Sequence, residues 1–517
     1  MADIWRKIRD RMIPALRDLE KAPPVFVTVD VSPPQPGAPE SSKSEDQRMF
    51  GDKMWGGEPF WGLGYEWDPQ WVLTPAQKEL QAKLIDLCQT TLRENAVESD
   101  RKLLFPRKNF KALSSLGLLG LIVPKELGGL GENHVCTAMV VETIARYGCA
   151  STAMCYTMHI GAVAAALLRH HDSPPLKDIL SRLDRDCLIG TLSYSDPETG
   201  GHFWYPMSSG AERVEAGWKV RKKASWTTSG GFADWYIVQT TSPDFNGEYS
   251  NLSCFLILGD EVHYDPSQWD GLGLRGNQSG ALEVRDRVVP LDRLVGPVGD
   301  GASSNDETVD PYFLLCSSSC WNGISMGLID IAKAHTTRKT HKDVGLRVAD
   351  YPTIQDYVGE AIIDTNASRS LVFLMAQCMD GLTNNNDWSI HRDPKALPRA
   401  QVLHWMWQVK FTAAKNVAHV SDKMLHACGG TAYKPQLGIE RYLRDGKAGW
   451  VMGPSNEILR QFVGKASLLG FPSLDYWNVT VNERAIQNET KKMSAEQKRA
   501  LAERLLAEAE PQKIAAQ

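Results

Sequence analysis

The chain has no Cys-x-x-Cys pair, no His-Glu-x-x-His and no Gly-x-Ser-x-Gly in a strand-turn-helix context. Those absences remove the usual signatures of zinc binding, metallohydrolysis and serine-nucleophile catalysis. Its 10 cysteines are scattered, and Cys316 and Cys320, four apart on an apolar stretch, read as packing. A reducing, cytoplasmic compartment is expected. No uninterrupted apolar run approaches the ~20 residues that span a bilayer. The opening MADIWRKIRDRM carries acids and no apolar stretch of the signal-peptide kind. An excess of one charge is lacking too: 57 basic against 62 acidic residues leave a net of -5 with no basic stripe, which argues against a nucleic-acid partner. What remains is an ordinary globular composition, 43% apolar and 23% charged, over 517 residues.

Texture changes along the chain suggest its organisation. Residues 1–73 combine an amphipathic helix (Ile4, Trp5, Ile8, Met12, Leu16, Leu19), a proline-rich linker and a loop with Trp55, Trp61, Trp67 and Trp71. Helical periodicity fills 74–186, where VPKELGGLG ends an apolar helix with turn-forming glycines. Short β-type runs occupy 187–300, among them Tyr236–Thr240, Cys254–Leu258 and Leu282–Val289. Four long helical segments follow over 308–475. Gly323 and Gly327 keep one of them slender and suited to close backbone approach. The tail, 476–517, opens with Ser494 and Gln497 in capping-box spacing and predicts a peripheral helix. The fold class is therefore α+β: a helical domain, a small middle β-barrel or sheet domain, and a C-terminal four-helix bundle.

Four stretches in this order carry a resemblance. Leu104–Gly131 reads LFPRKNFKALSSLGLLGLIVPKELGGLG; Leu272–Gly301 contains GLRGNQSG, VRDRVVP and GPVGDG; Arg338–Thr340 is Arg-Lys-Thr; and Gly429–Arg460 reads GGTAYKPQLGIERYLRDGKAGWVMGPSNEILR. Together they resemble the acyl-CoA dehydrogenase superfamily over about residues 74 to 475. The resemblance implies FAD. It implies that Ser193 and Ser195, in LSYSDPETGG, and Trp226 and Thr228, in Trp-Thr-Thr, flank the flavin, and that Arg338 and Thr340 hold its pyrophosphate. His426 (for the family's glutamine), Gly430, Ser455 and Glu457 occupy further flavin positions, some of them serving a neighbouring subunit. A homodimer or homotetramer is therefore implied. An acyl-CoA or related substrate and an electron-transfer flavoprotein are the partners it suggests. Arg444-Asp445 reads as a structural ion pair.

The chain departs from that pattern where the chemistry sits. Most members carry the proton-abstracting glutamate eight residues after the Arg-Asp aspartate, and that position is Gly453. Other members place it on the long helix after the β domain, where this chain has Phe313. Gly201 replaces a serine and Leu314 an arginine near the CoA arm. Replacement bases are His159 in STAMCYTMHIG, Asp310 and His202, against which stand a satisfied core histidine for His159 and a helix N-cap for Asp310. Three readings follow: acyl-thioester α,β-desaturation with a relocated base, a monooxygenase or desulfinase-type eliminase needing no such base, and a non-catalytic flavoprotein.

Overall fold

The computed structural model describes residues 72–199, 206–243, 245, 251–470, 486 and 489–509. The expected N-terminal helix, the linker, the Trp-rich loop, Gly201 and His202 lie outside the described residues.

The N-terminal part begins with α1 (Pro75–Leu87). Its start is chemically specified, because the Thr74 hydroxyl accepts from the Gln77 N–H at 3.3 Å and the Gln77 amide oxygen accepts from the Thr74 N–H at 3.0 Å. Then come α2 (Arg93–Lys102), α3 (Arg107–Ser114), α4 (His134–Thr143), α5 (Ala150–Leu168) and α6 (Pro174–Leu180). Every side chain of α5 is buried except Met158. That all-round apolarity is the mark of a core helix. By length and composition α5 could cross a bilayer, yet 94% of its apolar window is buried inside the fold.

An eight-stranded mixed sheet follows, in the order β6-β7-β3-β2-β4-β5-β8 with β1 parallel to β4. Its strands are β1 (Gly190–Ser193), β2 (Gly210–Val214), β3 (Gly217–Thr227), β4 (Trp235–Thr241), β5 (Leu252–Leu258), β6 (His263–Tyr264), β7 (Gly280–Val289) and β8 (Leu294–Val295). The three sequence-predicted strands are the cores of β4, β5 and β7. β4 and β5 are buried on both faces, which is why they read as continuous apolar runs.

The C-terminal part holds α7 (Gly301–Ser304), α8 (Asp310–Arg338), α9 (Pro352–Leu382), α10 (Leu403–Ala432), α11 (Ile439–Val451) and α12 (Asn456–Leu469). The expected slenderness of α8 has a direct cause: a Cβ on Gly323 would meet the Glu142 carbonyl oxygen at 2.5 Å and the Ala145 Cβ at 2.7 Å. One expectation is corrected. Asp310 is not at an N-cap position, because α7 runs into α8 through a π-helical turn, Asn305–Val309, and the residue before Asp310 is itself right-handed helical. The tail helix α13 (Ala495–Ala509) starts as expected, with reciprocal Ser494–Gln497 hydrogen bonds of 2.9 and 3.2 Å.

Candidate active site

The sheet brings one set of expected residues together. Ser195 donates its hydroxyl proton to the Trp226 carbonyl at 2.7 Å and accepts from the Trp226 N–H at 2.9 Å, so the loop after β1 is tied to the end of β3. The Ser193 and Thr227 hydroxyls lie 3.2 Å apart, and Thr228 reaches the Ser279 hydroxyl at 3.1 Å. The Trp226 ring is 62% exposed and meets Trp269 edge-on.

Asp310 is 1% exposed. Its charge acts on Tyr194, the residue before Ser195: burial pushes that phenol well above its ordinary value, and the charges of Cys254 and then Asp310 add to the push. The aspartate's charge is thus felt at the loop after β1, which Ser195 ties to Trp226. Phe313, one turn further along α8, is buried. His159 stands differently. Its Nε2 donates to the Leu119 carbonyl at 2.8 Å and its Nδ1 accepts from the Gly190 N–H at 3.0 Å. Both nitrogens are committed to backbone, and burial pushes the ring down to about 4. It pins α5 to β1 and has no site left for a substrate proton.

The remaining expected residues stand at helix ends. Arg338 and Thr340 are exposed at the C-terminal end of α8, and no carboxylate among the described residues pairs with Arg338. His426 and Gly430 are exposed near the end of α10, beside a break at Gly429 (φ 58°, ψ -147°), where an added Cβ would meet nothing within 4 Å. Ser455 caps α12 through the Ile458 N–H at 3.5 Å, and exposed Glu457 pairs with Arg460. Arg444 and Asp445 do not pair with each other, which corrects that expectation. Arg444 takes Asp100 at 2.7 and 2.8 Å and Glu440 at 2.9 Å, while Asp445 accepts the Leu274 N–H at 2.6 Å.

Gly453 sits in a loop governed by a residue that sequence reasoning missed. Fully buried Lys410 donates to the carbonyls of Gly449 (2.8 Å), Met452 (3.1 Å) and Pro454 (3.0 Å) and to the Asn456 side chain (3.0 Å). Burial pushes its ammonium down to about 7, against which four oxygens favour the charged form. A second missed group surrounds Arg399. This buried guanidinium donates to Glu307 at 2.7 Å, to His134 Nε2 at 3.0 Å and to Asn386 at 2.8 Å, and His134 in turn reaches Asp380 at 2.6 Å. The visible signal for Lys410 was a cation on an otherwise apolar helical face, whereas Arg399 stands in the short turn Arg399–Val402 before α10 and gave no such signal.

Comparison with known proteins adds to this geometry. Residues 74–178 match the family model described as acyl-CoA dehydrogenase, N-terminal domain, and residues 318–468 match acyl-CoA dehydrogenase, C-terminal domain. Mitochondrial isovaleryl-CoA dehydrogenase of Solanum tuberosum is 24% identical over 393 residues, covering 75% of this chain and 90% of the relative. The 3-sulfinopropanoyl-CoA desulfinase of Paraburkholderia xenovorans is also 24% identical, over 77% of this chain and 97% of its own. Among solved structures, a glutaryl-coenzyme A dehydrogenase in complex with glutaryl-CoA superposes with a TM-score of 0.68 at 20% identity, over 77% of this chain and 96% of that one.

Proposed function

The chain belongs to the acyl-CoA dehydrogenase superfamily, and from that premise we propose that it is an FAD-dependent enzyme desaturating an acyl thioester, with Asp310 as the group that takes the α-proton. The residues present fit the cofactor. Exposed Trp226 offers a ring face, the hydroxyls of Ser195 and Thr228 lie beside it, and Arg338 offers an unpaired guanidinium for a pyrophosphate. Bound FAD supplies the acceptor for the β-hydride. The observation that carries the reading is a buried carboxylate, Asp310, in the first turn of α8, whose charge is felt at Tyr194 beside Ser195. Gly453 has no side chain to offer, Phe313 no polar atom, and His159 no uncommitted nitrogen. Asp310 as a carboxylate would take the α-proton as the β-hydride leaves the substrate, so that two hydrogens depart and a double bond forms. The family likeness supports a homodimer or homotetramer, with His426 and Gly430 serving a neighbour's cofactor, and an electron-transfer flavoprotein as acceptor.

A second reading is favoured by the loop Met452–Ser455, which carries no carboxylate, together with the likeness to a desulfinase. An eliminase would release a leaving group without net redox change. Anaerobic mixing with a panel of acyl-CoA thioesters separates the two. Bleaching of the flavin band is expected from the wild type. D310N should stay yellow while reducing roughly 10²–10⁴-fold more slowly. A D310N enzyme as fast as wild type would remove Asp310 from the chemistry, and sulfite release from a sulfinyl thioester with no bleaching would establish the eliminase instead.

A further inference from the structure

A cavity of about 250 Å³ opens where α2, α8 and the α10–α11 loop meet, with Pro435–Gly438 forming one wall. None of the residues assigned above to cofactor or substrate lines it. Its walls carry four arginines (Arg93, Arg101, Arg146 and Arg441) and three carboxylates (Asp100, Asp330 and Glu440). The carboxylates are already engaged. Arg146 clamps Asp330 with two hydrogen bonds of 2.8 and 2.9 Å. Arg444, just outside the wall, takes both oxygens of Asp100 at 2.7 and 2.8 Å and one of Glu440 at 2.9 Å. Five guanidinium groups therefore meet three acids, and among the described residues no carboxylate pairs with Arg93, Arg101 or Arg441. Arg441 is half-buried, its guanidinium 5.5 Å from the Tyr442 ring centroid, so its charge is held at the wall rather than swept through solvent.

We propose that this corner is a binding site for a phosphoryl anion, either free phosphate or a small phosphate ester. Arginine's planar fork matches a phosphate in two-point geometry, and three uncommitted forks around one hollow leave an excess of donors that a dianion would satisfy. The hollow exceeds the ~30 Å³ share of one water severalfold and lies just under the ~300 Å³ at which drug-sized ligand sites begin. A phosphate with a short organic arm fits that room. α11 also begins here at Gly438, with no side-chain cap on its first-turn N–H groups, which adds partial positive charge to the same wall. The site is independent of the desaturation reading.

Isothermal titration of the flavin-loaded full chain with inorganic phosphate and with glycerol 3-phosphate, against glycerol at matched ionic strength, tests it. Saturable binding of one anion per chain is expected, with glycerol silent. Tighter binding of phosphate would mark the free anion as the ligand, and tighter binding of the ester would mark the esterified form. R441Q should weaken the affinity at least tenfold. Because half-buried Arg441 contributes to packing, the exposed pair R93Q/R101Q serves as the second variant and should weaken it comparably with an unchanged flavin spectrum. No saturable heat from either anion, or unaltered affinity in R93Q/R101Q, would overturn the assignment.

Discussion

Lys410 organises the loop in which a catalytic glutamate would ordinarily stand. Three ammonium protons serve four oxygens drawn from Gly449, Met452, Pro454 and Asn456, so the turn between α11 and α12 is built around one cation. K410M would keep the apolar stem and leave those oxygens without a donor. A loss of roughly 3 kcal/mol or more is expected in urea unfolding, since each orphaned buried acceptor costs about 1–3 kcal/mol; an unchanged midpoint would mean that water replaces the ammonium. The position was legible only in part. Trp407, Lys410 and Ala414 share a helical stripe, and a lysine there signals a buried partner, but three of its four acceptors are backbone oxygens, which no side-chain pattern reveals. His159 shows the reverse limit: its apolar helical setting was plain, yet its commitment to Leu119 and Gly190 depends on how α5 lies against β1.

At the scale of elements, the π-helical turn joining α7 to α8 decides what the start of the long helix can do. Asp310-Pro311 looks like a helix start in one dimension, because proline is accepted in a first turn. The turn instead carries Glu307 inward to Arg399 and leaves Asp310 buried within a continuous helical run. Burial pushes the Glu307 carboxyl up to about 7, above the ordinary value of about 4.3. The folded chain thus keeps a proton that the unfolded chain releases across that interval. Stability from this group is complete below the unfolded value and is lost as pH rises through about 7. His134 and His391, pushed down to about 4 and about 3 by burial, act in the opposite sense over the acid side, so the difference between wild type and E307Q is the quantity to follow. That difference should shrink, by on the order of 2 kcal/mol, between roughly pH 4.5 and 7.5 in urea titrations. A difference independent of pH would show that Glu307 is charged throughout.

For the whole molecule, the cofactor reading makes a direct demand. Purified chain should be yellow and should release FAD on denaturation. R338Q should lower flavin occupancy severalfold without moving the far-ultraviolet circular dichroism, because exposed Arg338 pairs with no carboxylate among the described residues. Colourless protein that takes up no added FAD would end both the desaturase and the eliminase readings.

Order and kind of elements were written in local pattern. Short β-type runs placed β4, β5 and β7, capping chemistry placed the start of α13, and small residues marked the face where α8 meets α4, all through residues a few positions apart. What Lys410 holds, that Arg444 reaches Asp100 and where three arginines converge were decided only in three dimensions. Those outcomes join residues tens to hundreds apart in the chain, and hydrogen bonds to backbone or between distant helices leave no periodic trace in the amino-acid order.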